Sequence, residues 1–174
     1  MISTQNGDKK TANRHTLSVL VDYNLNALSR IIGIFSGKGF VIDSVSFGPG
    51  QESGLARITI TTHGDEHIIE QITKQLNKII DVVKVTDLTY EHFVERELAL
   101  VKVSATASSR TEVMQVAQVF RAKVIDISPE KLSIEVTGNR DKVDAFIGMM
   151  EPFGISEVAR TGTVALKREY SGTV

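Results

Sequence analysis

Three groups of residues invite a chemical reading. His63 and His67 stand four apart with Asp65 and Glu66 between them, a spacing that would put two imidazoles on one helix face and suit zinc. Zinc needs three or four ligands, and no third donor follows at a usable spacing. Asp65 is also a helix-capping residue, so the helix begins after His63 and the cluster reads as a polar helix start with no metal. The second group, Gly48-Pro49-Gly50 and Gly54, has the glycine content of a phosphate loop. It joins one strand to the next, however, with no helix N-terminus to supply amides, and is read as a hairpin turn. The third group is Asp22-Tyr23-Asn24-Leu25-Asn26, between a strand and a helix. Helix N-terminal amides without partners can hold a carboxylate, so an amino acid could dock there. The competing reading is that Asn24 or Asn26 caps the helix and no ligand is involved.

No G-x-S-x-G elbow and no catalytic constellation occurs, and the 174 residues contain no cysteine, which removes thiolate metal sites, disulfides and a cysteine nucleophile. Hydrophobic residues make up 41% and charged residues 24%, enough apolar material for a core. Twenty Lys and Arg against 21 Asp and Glu leave a formal charge of -1, so no global field draws the chain to nucleic acid or to an anionic membrane. Aromatics are only 6%, and neither LSVLV nor LARITITT carries the stacked pair of an RNA-binding sheet. No apolar run approaches the roughly 20 residues of a bilayer span, and the N-terminus lacks an apolar export segment. A cytoplasmic location is expected, with Met1–Arg14 as a polar, disordered tail.

The elements that must position these groups follow from periodicity. Leu17–Val21 reads as a buried strand, and Leu28, Ile31, Ile32 and Phe35 make one helix face ending near Gly37 and Gly39. Phe40–Phe47 and Leu55–Thr62 form a hairpin. A helix capped by Asp65 carries Ile68, Ile69, Ile72, Leu76 and Ile79, and Val82–Val85 is a fourth strand. The plan then repeats with strand Glu97–Ser104, a helix from about Thr111, strands Val124–Ile127 and Leu132–Thr137, helix Arg140–Met150 and strand Ile155–Arg160. Two βαββαβ series predict an α+β chain of tandem ferredoxin-like units over 15–89 and 97–162, with a linker at 90–96 and an extended or frayed segment over 163–174.

The wording of several stretches adds to this. LSVLVDYNLNALSRIIGIFSGKGFVIDSVSFGP, LARITITTHGDEHIIEQITKQLNKIIDVVKVTDLT, VERELALVKV, FRAKVIDISPE and EVARTGTVALKR, in this order and spacing, resemble the small regulatory subunit of acetohydroxyacid synthase, also called acetolactate synthase. The resemblance runs from about His15 to about Arg168 and implies an N-terminal ACT domain and a C-terminal ACT-like domain with no active site. It implies a large catalytic subunit carrying thiamine diphosphate, Mg2+ and FAD, which condenses two pyruvates, or pyruvate with 2-ketobutyrate, in branched-chain amino-acid synthesis. The small subunit raises that activity and conveys feedback by valine or a related branched-chain amino acid. The effector is expected between the ACT domains of a homodimer, at Tyr23, Asn24, Leu25, Asn26, Ala27 and Leu28 of the turn and at Val41 and Ile42 of the second strand. Three of these depart from the pattern of valine-responsive relatives. Tyr23 stands where they have Asn, Asn26 where they have Gly, and Val41 where they have Asn. Activation is therefore expected with weakened valine feedback, and a freestanding ACT-type amino-acid sensor is the alternative.

Overall fold

Side chains that alternate between the two faces of each strand shape the first unit. In the computed structural model, which describes residues 13–169, β1 (Asn13–Asp22) sends Leu17, Val19 and Val21 to one face, fully buried. Helix α1 (Leu25–Lys38) covers that face with Ala27, Ile31 and Phe35, and ends at Gly39, whose φ of 70° suits a residue without Cβ. Strands β2 (Ile42–Pro49) and β3 (Leu55–Gly64) form the hairpin, closed where the Gly50 amide donates to the Leu55 carbonyl at 2.8 Å. Asp65 caps α2 (Glu66–Leu76) by accepting from the Ile68 amide at 2.9 Å, and β4 (Val82–Asp87) completes an antiparallel sheet of order β2-β3-β1-β4.

The second unit repeats the plan with β5 (Phe93–Ser104), α3 (Arg110–Val119), β6 (Lys123–Ile127), β7 (Lys131–Gly138), α4 (Arg140–Met150) and β8 (Ile155–Arg160), in the order β6-β7-β5-β8. Its core gathers Val101, Val103, Ile134, Val143, Phe146 and Met150 around an edge-on Phe120–Phe146 pair at 5.4 Å. The chain is thus the expected α+β pair of ferredoxin-like units.

Among the boundaries that differ from expectation, four have a clear cause. β1 begins at Asn13, inside the stretch read as a tail, because Arg14 has a distant partner: its guanidinium lies 3.3 Å from the Glu95 carboxylate. The rest of that stretch, residues 1–12, lies outside the described residues, as do 170–174. β2 begins at Ile42 rather than Phe40, whose ring instead packs edge-on against Phe35. Helix α2 stops at Leu76, so Ile79 reaches the first core from the following turn. Finally, β5 starts at Phe93, within the expected linker, because Phe93–Arg96 pair antiparallel with β9 (Val164–Lys167) in the segment expected to be extended or frayed.

This β5–β9 ribbon explains why the other face of the first sheet is buried. That face carries rows of hydroxyls, Thr16–Thr61–Ser44 and Ser18–Thr59–Ser46 in cross-strand register. Thr16, Ser18, Thr59 and Thr61 are nonetheless buried. Buried hydroxyls favour partners, and two of these have them: Thr61 with Ser44 at 2.8 Å, and Ser18 accepting from Arg57 at 2.7 Å. The Thr163 amide reaches Ser44 Oγ from the second unit at 3.3 Å. Gly162 is needed here, since its φ is 75° and an added Cβ would lie 3.2 Å from the Ser44 Cβ.

Phe146→Ala should destabilise the chain by about 3 to 5 kcal/mol, from lost burial plus a cavity. Leu25→Ala, at a side chain that is 74% exposed, should change stability by less than about 0.5 kcal/mol. Urea unfolding of the two variants against the wild-type chain measures both.

Candidate functional site

The turn after β1 is built by its asparagine. Asn24 Oδ1 accepts from the Ala27 amide at 2.8 Å, the third position of α1, so this residue is the cap. The amides of Leu25 and Asn26 precede the first intrahelical acceptor and point out of the helix start. Both side chains are exposed, whereas Ala27 is fully buried and Leu28 packs on the first core. Tyr23 is pinned by its amide, which donates to the Gly54 carbonyl at 2.8 Å, and its ring lies 5.7 Å from that of Phe47.

The other predicted half of the site is elsewhere. Ile42 begins β2 and packs on the first core, and Val41, just before it, is exposed with its carbonyl accepting from Thr62 Oγ1. The register fixes the separation. Asp22 pairs with Leu55 at one end of β3, while Ile42 pairs with Thr62, seven residues further along the same strand. At about 3.3 Å per residue, the turn and the Val41–Ile42 step lie roughly 23 Å apart within one chain. The fold therefore gathers Tyr23 to Leu28 at one end of the sheet and Val41 with Ile42 at the other.

The histidines do not share a helix face. His63 lies on β3 with Nδ1 2.7 Å from Asp43 Oδ2, and His67 lies in α2 with Nε2 2.8 Å from the Gln71 amide nitrogen. No group of three or more His, Asp or Glu side chains suited to a metal ion occurs among the described residues.

Sequence reasoning missed a chain of charges joining the two units. Asp43 Oδ2 also meets Arg140 Nη1 at 3.4 Å, and Arg140 Nε meets Asp144 at 3.4 Å. Asp144 in turn meets Arg160 at 2.7 Å, and Arg160 Nε donates at 2.6 Å to Glu97, which is almost fully buried. The hydrogen bond to Glu97 raises the Arg160 guanidinium above its ordinary value, against the opposing effect of burial. The available signal was the placing of Asp43 and Glu97 inside strand patterns, where an unpaired charge is costly.

Comparison with known proteins bears on the whole chain. The family described as "AHAS small subunit-like ACT domain" matches residues 17–84, and "Small subunit of acetolactate synthase" matches residues 96–169. The acetolactate synthase small subunit of Aquifex aeolicus is 46% identical, covering 94% of this chain and 85% of the relative. The probable acetolactate synthase small subunit of Methanothermobacter thermautotrophicus is likewise 46% identical, over 88% of this chain and 92% of its own length. The crystal structure of the small subunit from Thermotoga maritima superposes with a TM-score of 0.82 at 40% identity, covering 91% of this chain and 99% of that one. With both units matched in order and nearly the full length aligned, the chain belongs to the acetolactate synthase small subunit family.

Proposed function

We propose that this chain is the non-catalytic subunit that activates a large acetolactate synthase subunit, the partner carrying thiamine diphosphate, Mg2+ and FAD. The observation that carries this reading is the match over both units at 46% identity to small subunits of that enzyme. A cytoplasmic location accords with the absence of cysteine. A freestanding sensor would need only the first unit, so the match through 96–169 favours the subunit reading.

The effector site is completed between two copies. An amino acid needs its carboxylate met by amides, and Leu25 and Asn26 offer them at the start of α1. Val41 and Ile42 lie too far away in the same chain to touch the same small molecule, as their places on β3 require. A homodimer with its ACT domains side by side and antiparallel supplies the turn from one copy and the strand start from its partner. The edge position of β2 in the first sheet favours such pairing, because its outer side is free to meet a second copy.

Within this site, Tyr23, Asn26 and Val41 weaken valine binding. Val41 offers an apolar side chain where a polar contact is expected, and the Tyr23 ring is turned onto Phe47. Loss of one hydrogen bond to a charged group costs about 1.5 to 3 kcal/mol, roughly tenfold to over a hundredfold in affinity.

The isolated chain should consume no pyruvate, and adding it to its large subunit should raise turnover; a steady-state pyruvate assay with no rate change on mixing would refute the activating role. Titration calorimetry should find valine bound weakly or not at all by the wild-type chain. The triple change Tyr23→Asn, Asn26→Gly and Val41→Asn should strengthen binding at least about tenfold, and an unchanged isotherm would mean that the site lies elsewhere.

A further inference from the structure

Asp43 occupies an unusual place in β2. The pairing of β2 with β3 shifts between Ile42 and Ser44, so Asp43 is the extra residue of a bulge, a device that re-aims a side chain out of the regular ladder. Its carboxylate is shared by His63 of the first unit at 2.7 Å and Arg140 of the second at 3.4 Å. Arg140 is the first residue of α4, and its backbone amide donates to Glu95 Oε1 at 3.5 Å, the same carboxylate that Arg14 meets at 3.3 Å. Residues of β1, β2, β3, β5 and α4 therefore form an open chain of polar contacts, Arg14–Glu95–Arg140–Asp43–His63, that ends beside Val41 and Ile42. Asp43 and Arg140 are only 14% and 24% exposed, which limits screening by solvent.

We propose that Asp43 and Arg140 are positioning residues that transmit a disturbance at Val41–Ile42 into α4 of the second unit. The inference rests on the reading of Val41–Ile42 as half of the effector site. A ligand seated there must act on the backbone that leads directly into Asp43. The bulged residue lies outside the regular β2–β3 pairing and can move without breaking its neighbours' ladder bonds, so displacement passes to Arg140. From Arg140 it passes along α4 to Asp144 and on to Arg160 and Glu97 in the second sheet. Glu95 lies in the β5–β9 ribbon, and the Thr163 amide just before β9 meets β2 at Ser44 rather than at Asp43.

The test is amide hydrogen exchange on the full chain without ligand, using substitutions as the disturbance. Ile42→Ala removes packing at the start of β2 and should speed exchange of amides 140–144 by about two- to fivefold, the scale of one partly exposed ion pair. In an Arg140→Met background the same Ile42→Ala change should leave those amides as they are in Arg140→Met alone, and Arg140→Lys should restore part of the response. Ile42→Val serves as a milder disturbance if the alanine variant unfolds. An equal response with and without Arg140, or no response of 140–144 to either change at Ile42, would overturn the proposal. Because no effector is added, failure of valine to bind would count against the effector reading alone and leave the exchange result decisive.

Discussion

The hydroxyl-lined face of the first sheet sets the terms for the rest of the molecule. Thr16, Ser18, Thr59 and Thr61 are buried, and an unpartnered buried hydroxyl costs about 1 to 3 kcal/mol. The segment that covers such a face must bring hydrogen-bonding groups to it. The face is covered by a backbone ribbon and by side chains that hydrogen-bond, with Thr163 donating to Ser44 and Arg57 donating to Ser18. That requirement accounts for β9, for the left-handed Gly162 that lets the backbone approach β2, and for the start of β5 at Phe93. The two units consequently meet where the β5–β9 ribbon of the second lies against the first sheet, with polar contacts such as Thr163 to Ser44 and charge pairs between them.

The same topology places the two halves of the proposed effector site far apart. In an antiparallel βαββαβ sheet of order β2-β3-β1-β4, β1 and β2 both pair antiparallel to β3 and so run in the same direction. The end of β1 and the start of β2 must then fall at opposite ends of the sheet. No side-chain adjustment within one chain closes roughly 23 Å. Pairing of two chains is thus a geometric condition for a site that uses both segments. The turn would contribute amides held by the Asn24 cap, and Val41 and Ile42 would come from the partner copy.

Much of the fold was legible because its signals are local. Asp65 announced α2, the helix Arg140–Met150 and strand Ile155–Arg160 stand where their periodicity put them, and Asn24 is one of the two capping candidates. What escaped the sequence depends on distant partners. β1 extends to Asn13 through pairing with Gly64, and β5 extends to Phe93 through pairing with β9, which local periodicity does not report. At the candidate site, residue types identified the turn, but the separation of the turn from Val41 appears only once strand register is known. The chain of polar contacts through Asp43 was hidden for the same reason, since its members come from five separate elements.

The claim that the effector site is shared by two copies can be tested with a covalent probe, because the chain has no cysteine of its own. Leu25 and Val41 are both exposed, at opposite ends of the first sheet. A Leu25→Cys, Val41→Cys double variant, treated with a short bifunctional maleimide and run on a denaturing gel, should form a covalent dimer in high yield. Each single variant should remain mostly at 19.1 kDa. A double variant that stayed monomeric at a concentration where light scattering finds dimers would contradict the account, because the turn of one copy would then not meet the second strand of its partner.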